Sequence, residues 1–89
     1  MVTSTRLFTA AGTITAAATA ANQLASATTD RALRDLRRQT AGQLHDCARQ
    51  VLVWARAARY VEERDQQVPP AMARRIEAAT REFVAMAEG

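Results

Sequence analysis

Only five of the 89 residues are glycine or proline, and the two prolines are adjacent, at Pro69-Pro70. A sandwich or barrel must reverse its chain every eight to twelve residues, and this chain has too few turn formers to do so. Long helices remain. Composition agrees, because twenty-one residues are alanine, the best helix former. Only twenty-two residues are larger apolar side chains or cysteine, enough for one small domain over 1–89 with a thin core.

Hydrophobic periodicity places helices at about 5–27, 30–65 and 70–88. The first starts after Thr3 or Ser4 as N-cap and puts Leu7, Ala11, Ile14, Ala18, Ala21 and Ala25 on one stripe. Thr28-Thr29-Asp30 supplies a stop and a restart, with the aspartate suited to the first turn of the second helix. Its inward stripe reads Leu33, Leu36, Thr40, Leu44, Cys47, Val51, Trp54, Ala58 and Val61. That phase persists through Gly42, which a break in the helix would have little reason to preserve. Pro69-Pro70 ends the second helix and Pro70 opens the third, whose seam is Met72, Ile76, Ala79, Phe83 and Met86. The fold class implied is all-α, an antiparallel three-helix bundle with a long central helix of roughly 50 Å.

Two features predict self-association. No residue from Leu7 to Thr29 is charged, and within that run Gly12, Ala16 and Ala20 form a second face of small residues that a neighbouring backbone could approach closely. Then Val51-Leu52-Val53-Trp54 is a run of four apolar residues that no single helix face can bury. Leu52, Val53 and Tyr60 point away from the main stripe, towards the third helix or a partner, and Trp54 reads as a core anchor or an interface anchor. Gly12, Ala16, Ala20, Leu52, Val53, Trp54 and Tyr60 are therefore the candidate protein interface. A core this thin is commonly supplemented by oligomerisation, so a homo-oligomer is expected.

Twelve arginines against nine acids give a formal charge of +3, and the whole excess lies between Arg31 and Asp65. Arg31, Arg34, Arg38, His45, Arg49, Arg56 and Arg59 fall within roughly 80° of one another on the second helix. Such a ridge can engage phosphates along a nucleic acid backbone, although no zinc-ligand set, helix-turn-helix spacing or stacking aromatics accompany it. Otherwise it is the solvated face of an amphipathic helix, with His45 in water.

No constellation for catalysis is legible. His45 and Cys47, two positions apart on a helix, diverge and cannot share a metal ion, and Cys47 reads as a small buried hydrophobe. Glu62 and Glu63 diverge by about 100°, while Ser4 and Ser26 read as helix caps. No cofactor, metal or catalytic residue is expected. A single cysteine gives no intramolecular disulfide, and the cytoplasm is the expected compartment. The alternative is export, with the first 27 residues as a signal ending in Ala25-Ser26-Ala27. Alanine, threonine, Asn22 and Gln23 make that stretch too polar for a membrane span. The sequence thus predicts a non-catalytic protein-protein interaction or assembly module, an adaptor or regulatory subunit that self-associates. A nucleic-acid-associated accessory protein is the first alternative, and an exported or membrane-associated helical protein is the second.

Overall fold

A computed structural model describes residues 2–89, and among these the chain forms three packed helices and no strand: α1 (Ser4–Ala27), α2 (Arg31–Glu62) and α3 (Pro70–Glu88). The start of each helix has a local cause. Thr3 Oγ1 accepts a hydrogen bond from the Arg6 N–H at 3.3 Å, and a carboxylate oxygen of Asp30 accepts from the Leu33 N–H at 2.8 Å. Asp30 is therefore the N-cap of α2 and not a first-turn residue. Pro70 opens α3, where its missing N–H costs nothing.

Glu62 closes α2 three residues earlier than the sequence predicts. Asp65 adopts the left-handed region at φ 54°. The Gln66 N–H then donates to the Val61 carbonyl at 2.9 Å and the Asp65 N–H to the Glu62 carbonyl at 3.1 Å. This double closure satisfies carbonyls that the helix end would otherwise leave open. At Gly42, by contrast, α2 continues without a break.

The core lies chiefly between α1 and α2. Leu7, Ala11, Ile14, Ala18 and Ala25 are buried as the α1 periodicity predicts, and Ala21 is half-buried. For α2 the predicted stripe needs correction. Its buried residues are Ala41, Leu44, Ala48, Val51, Ala55 and Ala58. Leu33, Leu36 and Thr40 are exposed, while Cys47, Trp54 and Val61 are half-buried. Alanines of both helices lie in this core, where small side chains let two backbones approach, with Leu44 and Val51 among them and Cys47, Trp54 and Val61 on the flank. In α3, Ile76 is buried and Ala79 and Phe83 are half-buried, but Met72 and Met86 are exposed. Ala73, Val84 and Ala87 pack on the core instead.

Polar contacts hold the α1–α2 pair at both ends. The backbone N–H and hydroxyl of Ser4 donate to the two carboxylate oxygens of Glu62 at 2.9 and 2.6 Å. Arg37 donates to Thr28 Oγ1 near the other end. Ser4 is thus a buried contact residue and Ser26 is exposed inside α1, so neither serves as the cap that the sequence suggests. The molecule measures 52 × 20 × 15 Å with a radius of gyration of 15.1 Å, against about 12 Å for a compact chain of this length.

Candidate functional site

The predicted interface residues do not converge on one surface. Gly12, Ala16 and Ala20 are exposed on the side of α1 that faces away from α2, and a Cβ added at Gly12 would meet nothing within 4 Å. Val53 and Tyr60, each 57% exposed, lie on the side of α2 that faces away from α1. The width of the packed α1–α2 pair separates the two sets. Trp54 stacks on Phe83 of α3, ring centroids 6.2 Å apart and planes 3° from parallel. It therefore anchors α3 to α2. Leu52 is half-buried against the core. The Tyr60 ring carries the Arg64 guanidinium at 3.5 Å on one face as a cation–π partner, and the rest of the ring stays exposed.

The basic ridge is narrower than its sequence spacing suggests. Arg34 and His45 are half-buried, the latter contrary to the expectation of a solvated ring. Arg49 pairs with Asp46 at 2.8 Å. The Arg59 guanidinium sits 4.9 Å from the centre of the Phe8 ring. Arg59 is nevertheless exposed, and Arg31, Arg38, Arg49 and Arg56 are exposed along one side of α2. At 1.5 Å per residue they span about 38 Å.

Cys47 is half-buried, and burial first and the adjacent Asp46 carboxylate second push its thiol up from the ordinary value. Both effects disfavour the thiolate that nucleophilic or metal chemistry needs. Glu62 moves the other way. The Ser4 hydroxyl and then the Ser4 N–H stabilise its carboxylate, with a smaller contribution from Arg59, and hold it below the usual range. Among the described residues there is no group of three or more histidine, cysteine, aspartate or glutamate side chains that could hold a metal ion.

Two shallow recesses lie near the start of α1. One of about 280 Å³ is lined by Val2, Thr3, Arg6 and Leu7 on one side and Glu77, Thr80 and Arg81 on the other. Thr80 Oγ1 is buried there without a hydrogen-bond partner among the described residues. The second opens at the α2–α3 turn, between Val2, Val61 and Ala73.

The largest unexplained feature is apolar. Leu24, Leu33, Leu36, Val53, Tyr60, Met72 and Met86 are all exposed, while among the described residues the larger aliphatic side chains that are buried are Val2, Leu7, Ile14, Leu44, Val51 and Ile76. Sequence periodicity predicts Leu33, Leu36, Met72 and Met86 in the core and assigns no role to Leu24. Among the described residues, no helix is long and apolar enough to cross a membrane. No protein family matches this chain, and no curated protein or solved structure does so.

Proposed function

We propose that this protein is a non-catalytic helical assembly module, an antiparallel three-helix bundle that self-associates and acts through protein–protein contact. The observation that carries the reading is that, among the described residues, about as many large apolar side chains are exposed as are buried. A monomer of this shape buries little per residue, and apolar surface left in water is characteristic of a chain that is completed by another. The Ser4–Glu62 contact between the first residue of α1 and the last of α2 supports the antiparallel arrangement. Gly12, Ala16 and Ala20 on one flank, and Val53 and Tyr60 on the other, stay open for partners. The lone Cys47 suits a cytoplasmic location.

Sedimentation equilibrium of the full chain at micromolar concentration is expected to give a dimer or larger species. A single monomeric species up to high micromolar concentration would overturn the reading.

A second reading is supported by the exposed row of Arg31, Arg38, Arg49 and Arg56. In it the module docks on a nucleic acid backbone, with affinity but no sequence preference. Asp46 offsets part of that row's charge. Self-association is the better supported of the two.

A further inference from the structure

We propose that two copies of this chain pair along the free half of the groove that seats α3, joining the loop ends of their α1–α2 hairpins into a four-helix bundle. The inference rests on the self-association proposed above and assigns its face and its partner.

The groove is traced from the residues that meet α3. On α2 the marker is Trp54, stacked on Phe83. On α1 it is Arg6, which lines a recess together with Thr80 and Arg81 of α3. Eighteen residues make five whole turns of an α-helix, so a residue eighteen positions along points to the same side. Eighteen positions from Trp54 towards the loop lies Leu36, 58% exposed. Eighteen positions from Arg6 towards the same loop lies Leu24, 52% exposed. The groove thus continues past α3 with a leucine on each wall. α3 does not follow it. Phe83 is five residues from the end of α3 at Glu88, about 8 Å of helix, whereas Leu36 lies about 27 Å beyond Trp54 along α2.

The chemistry of the free half points to a second copy as the occupant. From Arg31 to Gln50, every arginine and aspartate, and His45, falls outside the 120° sector of α2 centred on Leu36. α1 carries no charge from Leu7 to Thr29. The face is therefore uncharged over about 30 Å. A charged partner would gain no ion pair from it, while an identical face meets no like-charge repulsion there even though each chain carries +3. With two helices of about 10 Å diameter side by side, each copy would bury roughly 600 Å², about 1,200 Å² in total, which reaches the range of a specific interface. A two-fold arrangement sets Leu24 and Leu36 of each copy against the small Ala17 and Ala21 of the other, two helices from each side, the geometry of a bundle.

The test compares the full-length wild type with two double variants by sedimentation equilibrium, with far-ultraviolet circular dichroism confirming helix content. Leu24→Glu with Leu36→Glu is expected to raise the dimer dissociation constant at least about 100-fold. Thr15→Glu with Thr19→Glu, exposed on the outer side of α1 away from the groove, is expected to leave it within about threefold. If the glutamates disturb the helices, Leu24→Gln with Leu36→Gln should still weaken the dimer at least about tenfold. Groove variants that associate as tightly as the wild type, or an outer variant that dissociates as readily as they do, overturn this face and leave self-association standing. A monomeric wild type overturns both.

Discussion

Glu62 answers a need that every helix start creates. The first N–H groups of α1 have no partner within the helix, and the Glu62 carboxylate accepts from one of them, at Ser4, as well as from the Ser4 hydroxyl. A carboxylate at a helix N-terminus is also favoured by the helix dipole. The folded carboxyl therefore releases its proton at a lower pH than in the unfolded chain, chiefly because of the Ser4 hydroxyl. The stabilisation is complete above the ordinary glutamate range and is lost as pH falls through the folded value. Melting temperature should decline on acidification in that window. Glu62→Gln should lower it at pH 7 and narrow its gap to the wild type in strong acid, measured by circular dichroism. Two melting curves that stay equally far apart at every pH would remove Glu62 from the account.

Helices are the scale at which the sequence was most legible. Sparse glycine and proline point to helices, periodicity and the breaks at Thr28-Thr29-Asp30 and Pro69-Pro70 give three of them, and Pro70 marks the start of α3 where it lies. The α1 stripe was readable because Leu7 and Ile14 are the only long aliphatic residues between Thr5 and Asn22. On α2 a single periodic stripe does not describe the burial, because two different seams run along the helix. Leu44, Val51 and Ala58 belong to the buried α1 seam, which also recruits Ala41, Ala48 and Ala55, while Trp54 faces α3. Weighting large side chains draws the stripe towards α3, away from the alanines that permit the closest approach. The Ser4–Glu62 contact joins positions 58 apart, which no local pattern reveals. Continuity of α2 through Gly42 has its own consequence. A Cβ there meets nothing within 4 Å, so Gly42→Ala should gain about 0.5–1 kcal/mol of helix propensity. That corresponds to a melting temperature raised by roughly 2–8 °C, and a lowered one would mean that α2 bends at this residue.

At the scale of the molecule, charge and apolar surface occupy different sides of the same long helix. The exposed arginines of α2 line one side, and the uncharged groove with Leu36 lies on another, so two modes of association carry opposite salt signatures. Contact through the groove involves no ion pair. Its dissociation constant should change by less than about threefold between 50 and 500 mM sodium chloride, with any drift towards tighter binding. Contact of Arg31, Arg38, Arg49 and Arg56 with phosphates would release up to about four counterions and lose three to four orders of magnitude over the same interval. Sedimentation equilibrium of the chain alone and a fluorescence titration with a labelled duplex, each at both salt concentrations, separate the modes. Salt-insensitive self-association with weak, salt-labile duplex binding is the expected outcome. If self-association itself collapses at 500 mM, the uncharged groove does not hold the copies together, and a charged flank such as the Asp46–Arg49 side of α2 must do so.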